Sequence, residues 1–162
     1  MQQSATSKNV LFDASNIKIG VGLTRFNSDI TEAMLTNLIK EAVVYQISPE
    51  NVSVFRVSGA VELPLLLQNM ALSEEFDCLV AIGCVIRGDT THYEYVCQYA
   101  TDGILKVNLG FNIPIGFGVL TVENHEQALA RIDTGFKALE ASLQSLKNIQ
   151  DLTDLRTLSE VD

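Results

Sequence analysis

The chain has no tryptophan, three prolines and three cysteines in 162 residues, and acidic side chains outnumber basic ones by 20 to 11. Each shortage excludes something. With a formal net charge of −9 and a pI near 4.6, no nucleic-acid partner is expected, because binding to a phosphate backbone rests on clustered Lys and Arg. Any anionic ligand must be held by a few local positive groups against the overall field. Cys78, Cys84 and Cys97 are odd in number and form no CxxC motif, and no His pair accompanies them. They read as buried reduced thiols, neither a disulfide framework nor a metal site. No apolar run approaches the roughly 20 residues of a membrane span. Residues 1–16 are polar, with one Lys and no apolar stretch of signal-peptide length. The expectation is a cytoplasmic protein without a membrane segment.

What is abundant is aliphatic. Hydrophobic residues make up 47% of the chain, charged residues 19% and aromatics 7%, with mean hydropathy +0.20. Disordered and fibrous classes are excluded on those numbers. The surplus of Leu, Val, Ile and Ala is what strands buried on both faces require, or subunits that bury surface on one another.

Residues 1–16 read as a loose arm with a short apolar patch at Val10, Leu11 and Phe12. Residues 17–24 are β-branched with Gly spacing and predict a strand. Ser28 or Asp29 then offers an N-cap, and Met34, Leu35, Leu38, Ile39, Ala42 and Val43 repeat at helical spacing. Residues 52–57 alternate as a second strand, the turn at 58–60 follows, and Glu62, Leu63 and Pro64 open a second helix, with Pro where its missing N–H costs nothing. Residues 78–84 form a fully apolar third strand, 87–91 a polar turn, about 92–109 a helix and 114–120 a fourth strand. A last helix is predicted from near Asn124, with Leu129, Ile132, Phe136, Leu139, Leu143 and Leu146 as its buried seam. From Asn148 the charged tail reads as a further short helix or a frayed end.

Strands alternating with helices predict one α/β/α domain over residues 17–147, between the arm and a tail at 148–162: a mainly four-stranded parallel sheet, flavodoxin-like, with helices on both faces. Ligands in such folds sit at the carboxyl ends of the strands, so the loops at 25–29, 58–62 and 86–92 are where chemistry is expected.

The first loop holds Phe26 and Asn27. Phe26 is either a hydrophobic staple for the following helix or a stacking face for a flat ring. In the second, Gly59 admits a close backbone approach, and Glu62 either complements the helix dipole or accepts from ligand hydroxyls. In the third, Gly88, Asp89 and Thr90 run into a helix start that favours an anion, although Asp89 must then point away. His92 follows at once, and imidazole is the side chain whose chemistry suits proton transfer at neutral pH. His125, beside Asn124, reads as a solvated capping neighbour.

Five motifs in order resemble the lumazine synthase family: Arg25-Phe26-Asn27, residues 59–64 (GAVELP), residues 83–92 (GCVIRGDTTH), residues 117–121 (FGVLT), and Glu126-Gln127-Ala128 with Arg131. The resemblance runs from about Ile17 to Leu146. It implies condensation of 5-amino-6-(D-ribitylamino)uracil with 3,4-dihydroxy-2-butanone 4-phosphate to give 6,7-dimethyl-8-ribityllumazine, without a metal or redox cofactor. It also implies roles. Phe26 stacks on the pyrimidine beside Asn27, Ala60 and Val61 contact that ring through backbone, and Glu62 grips the ribityl chain. Val85 and Ile86 line the ring's edge. Gly88, Asp89 and Thr90 receive the phosphate, and His92 transfers protons. Phe117 and Arg131 come from the neighbouring subunit of a homopentamer or a multiple of pentamers, Arg131 clamping the phosphate. A functional link to riboflavin synthase is implied as well.

One region departs from the pattern. Many members carry a Gly-Asn-Lys-Gly turn after the Arg, in a region that helps set how pentamers assemble; here the stretch from Arg131 to Lys137 is shorter and lacks the Asn. Lys137 is the candidate for that lysine, or else an ordinary solvated helical side chain. The alternative to a synthase is a homologue that kept the fold as a ring-binding or shell-forming protein, for which loss of Phe26, Glu62, His92 or Arg131 would be the sign; all four are present. A phospho-receiver domain and a flavodoxin proper each need residues that the strand-end loops lack.

Overall fold

The computed structural model describes residues 11–159. Four parallel strands, β1 (Ile19–Thr24), β2 (Val52–Val57), β3 (Cys78–Ile86) and β4 (Ile115–Val122), form one sheet in the order β2-β1-β3-β4. The helices are α1 (Ser28–Glu41), α2 (Leu63–Leu72), α3 (His92–Gly110), α4 (His125–Leu129) and α5 (Thr134–Ser159). This is the expected three-layer α/β/α fold. Among the described residues no helix is long and apolar enough to cross a membrane.

Alternation along β3 supplies both layers of core. Cys78, Val80, Ile82 and Cys84 face α1 and α5, packing with Met34, Leu38, Leu139 and Leu143. Leu79 and Ala81 face α2 and α3, packing with Leu63, Leu67, Ala100 and Ile104. In β1 only one face is large: Ile19, Val21 and Leu23 join the first core, and Gly20 and Gly22 lie beneath α2. A Cβ on Gly20 would stand 2.5 Å from Met70 Cε and one on Gly22 3.2 Å from Leu63 Cδ2. The glycines therefore let α2 settle close on the sheet. The chain winds one way from β1 to β2 and the other way from β2 past β1 to β3 and on to β4. A common crossover hand then puts α1 on one face and α2 and α3 on the other.

The structure corrects several expectations. The cap of α1 is Asn27, not Ser28 or Asp29; its backbone is left-handed (φ 56°, ψ 47°), and its carbonyl accepts from the Ile30 and Thr31 N–H groups. Val43 is exposed, because the chain tightens into a 3-10 turn at Ala42–Tyr45 after α1. β3 and β4 each run two residues further than expected, since Val85 and Ile86 pair with Thr121 and Val122.

The single last helix is two: bonds of the i to i+3 kind at 130–135 interrupt it, and Leu129 is exposed. Beyond the break, α5 continues through the residues read as tail, with Leu152, Leu155 and Leu158 exposed. Val10 and the rest of 1–10 lie outside the described residues, but 11–16 are not loose. Ala14 is buried and its N–H donates to the Tyr45 carbonyl at 2.9 Å, while Asn51 Nδ2 donates to the Ser15 carbonyl at 2.7 Å.

Candidate active site

Where the winding reverses, the carboxyl ends of β1 and β3 leave a crevice, and the structure has a cavity of about 370 Å³ there. The β1–α1 loop forms one side. Thr31 Oγ1 donates to the buried Thr24 carbonyl at 2.7 Å, which fixes how α1 leaves the strand. Backbone bonds from Arg25 to the Val57 carbonyl (2.8 Å) and from Phe26 to the Ser58 carbonyl (3.0 Å) hold the loop beside the end of β2. Phe26 is 71% exposed, so the staple reading fails, and its ring borders the cavity.

The β2–α2 turn supplies the next side with Gly59, Ala60, Val61 and Glu62. Here the Gly59 N–H donates to Glu62 Oε2 at 2.9 Å and the Glu62 N–H returns a bond to the Gly59 carbonyl at 3.2 Å. Glu62 Oε1 has no partner among the described residues. Gly59 itself is extended, and a Cβ there would make only ordinary contact with Glu62.

Cys84, Val85 and Ile86 at the end of β3 form the floor, and Gly88, Thr90 and His92 the far side. A Cβ on Gly88 would meet nothing within 4 Å. No described acceptor takes the backbone N–H groups of Gly88, Asp89 or Thr90, while Thr90 Oγ1 accepts from the His92 N–H at 3.3 Å. These free donors at the start of a long helix suit an anion. Asp89 lies outside the lining, as an anion site there requires.

Asn27 does not line the cavity; its Nδ2 donates to the Cys84 carbonyl at 2.8 Å. Phe117, midway along β4, and Arg131, in the turn between α4 and α5, also lie outside the lining. Both are exposed, and Arg131 Nη1 reaches only the Gln127 carbonyl, at 2.9 Å. Lys137 stands apart in the first turns of α5, paired with Asp133 at 2.5 Å. His125 is more than a capping neighbour. Its Nε2 lies 2.6 Å from Asp29 Oδ2, joining α4 to α1 and holding the Asp29 carboxyl below its usual range.

Three lining residues were not anticipated: Tyr93, Val96 and Cys84. Val96 is one helical turn beyond His92 on the same face, a spacing that predicts it once His92 is accepted. Cys84 was read only as a buried thiol; burial pushes its pKa to about 11 and that of Cys78 to about 12, so both remain protonated. Among the described residues no Lys or Arg side chain lines the cavity.

The fold and this crevice define a doubly wound α/β protein that takes a small ligand at its topological switch point. A family model for 6,7-dimethyl-8-ribityllumazine synthase matches residues 16–150, and the chain belongs to that family. The 6,7-dimethyl-8-ribityllumazine synthase of Protochlamydia amoebophila (strain UWE25) is 42% identical over 146 residues, which cover 89% of this chain and 84% of that protein.

Proposed function

We propose that this chain condenses 5-amino-6-(D-ribitylamino)uracil with 3,4-dihydroxy-2-butanone 4-phosphate to form 6,7-dimethyl-8-ribityllumazine, phosphate and water. The observation that carries the reading is one cavity with an open aromatic face, a carboxylate and a helix start bearing His92. Phe26 stacks on the pyrimidine, Ala60 and Val61 meet its polar edge, Val85 and Ile86 its apolar edge, and Glu62 accepts from ribityl hydroxyls. The phosphate of the second substrate lies at Gly88, Asp89 and Thr90, where backbone N–H groups remain to be paired.

The pyrimidine's amine attacks the ketone, and loss of water gives an imine. His92 relays protons in that step and in the elimination of phosphate. Ring closure with loss of a second water completes the product. Much of the acceleration comes from holding two small reactants in register, since effective molarities reach on the order of 10⁵ M.

A phosphate needs more than backbone donors in a chain carrying a net charge of −9. That no Lys or Arg among the described residues lines the cavity supports a second subunit supplying Arg131 and Phe117, in a pentameric ring or a multiple of one. Lys137 remains the candidate for the family's lysine. The test is direct: the purified protein is incubated with both substrates and the fluorescent lumazine is measured. No lumazine above the uncatalysed rate would refute the reading.

A further inference from the structure

Arg87 stands immediately before the Gly88–Thr90 turn, and its guanidinium meets two carboxylates and one aromatic ring. Nε donates to Glu123 Oε2 at 2.8 Å, Nη1 pairs with Glu94, and Cζ lies 4.2 Å from the centre of the Tyr93 ring. The Arg87 backbone N–H also donates to the Val122 carbonyl at 2.9 Å. Glu123 follows the end of β4, and Glu94 is in the first turn of α3. The pair between residues 87 and 94 thus closes a short loop containing Gly88, Asp89, Thr90 and His92, with Tyr93 of the cavity wall beneath the guanidinium.

Two carboxylates against one guanidinium leave this cluster with no surplus positive charge for a phosphate. The same contacts fix geometry. One planar guanidinium directed at two separate carboxylates and set over a ring is constrained in orientation in ways a point charge is not. Exposed pairs of this kind add little to stability, so the cluster's effect falls on the placement of the turn.

We infer that Arg87 is a positioning residue: with Glu94 and Glu123 it clasps the ends of β4 and α3 around the anion-binding turn, and so sets affinity for the phosphorylated substrate without touching its phosphate. The assignment of the phosphate to that turn rests on the function proposed above.

The test turns on sign. Kinetics are measured with both substrates for wild type, Arg87→Lys, Glu94→Gln and Glu123→Gln, together with binding of inorganic phosphate and thermal midpoints. A clasp predicts that all three variants raise the KM of the phosphorylated substrate and the Kd of phosphate by about 10-fold, as small misplacements do. The KM of the pyrimidine should stay within about twofold and the midpoint within a few degrees. If Arg87 instead acted on the phosphate as a charge, Glu94→Gln and Glu123→Gln would remove repulsion and tighten phosphate by about twofold. Tighter binding in those variants, or equal losses for both substrates with a lowered midpoint, overturns the inference. Wild type that makes no lumazine overturns the proposed reaction instead, and the clasp is then decided by the sign of the change in phosphate affinity alone.

Discussion

Asn27 and Cys84 lie on different strand ends and are joined by a 2.8 Å hydrogen bond from the Asn27 amide to the Cys84 carbonyl. Asn27 also carries the left-handed backbone (φ 56°) that turns the chain from β1 into α1, a conformation Asn tolerates better than most residues. The two roles separate by substitution. Asn27→Gly keeps the backbone and loses the strut, which should cost about 1 kcal/mol. Asn27→Ala also strains the backbone and should cost about 1 kcal/mol more. Urea denaturation of both variants measures the difference, and equal stabilities would mean that the turn is unstrained. Since Phe26 is the preceding residue, both variants should also raise the KM of the pyrimidine more than that of the phosphorylated substrate.

His92 borders the cavity at the first residue of α3. As a proton relay, its loss should appear in turnover. His92→Ala is expected to lower kcat by about 10-fold or more with smaller changes in KM, water and the substrate's own amine replacing part of its function. An unchanged kcat removes it from the mechanism.

The shared site is testable by mixing. A ring of His92→Ala subunits has no intact site, and neither has a ring of Arg131→Ala subunits. In mixed rings about a quarter of junctions pair the sound His92 of one variant with the sound Arg131 of the other, one half times one half for a cyclic head-to-tail interface. Co-expression should restore roughly a quarter of wild-type activity above either background. Verified mixed rings without recovery would place both residues in a single subunit's site.

Asp29 gives a pH signature. The hydrogen bond with His125 holds its carboxyl below the usual 3.8, ahead of any other influence. A carboxyl depressed in the folded state adds stability above its unfolded pKa and loses it as pH falls through the folded value. The difference in stability between wild type and Asp29→Asn should therefore persist above about pH 4 and shrink as the pH falls below that. Both side chains are more than half exposed, so the difference should be small and salt-sensitive. A gap unchanged at the acid end would mean that Asp29 acts through something other than its charge.

Residue type and period read most of this fold directly. β2 lies where VSVFRV alternates, and α2 opens where Leu63 and Pro64 predict it. The helix break escaped because Leu129, Ile132 and Phe136 step by intervals that suit a 3-10 turn as well as an α-helix; apolar spacing does not separate periods of 3.0 and 3.6 over so short a stretch. The cap at Asn27 escaped for another reason. It depends on a carbonyl that only the folded sheet brings near, as Arg87 depends on Glu123. The loops that carry Phe26, Glu62 and His92 were legible because strand ends are set by topology, whereas side-chain partners across those loops are set by packing.

The break between α4 and α5 has a consequence for how this chain tolerates changes in length. Gly135, just after it, lies under α1, where a Cβ would stand 2.7 Å from the Met34 carbonyl oxygen. That contact anchors the angular setting of α5 from its start. A residue gained or lost among 130–133 is taken up by the turn, moving Arg131 while Leu139 and Leu143 keep their places on the sheet. The same change made after Gly135 rotates the rest of the helix by about 100° and swings those leucines out of the core. Insertions and deletions can thus remodel the neighbourhood of Arg131 freely, and the fold itself confines that freedom to a few residues.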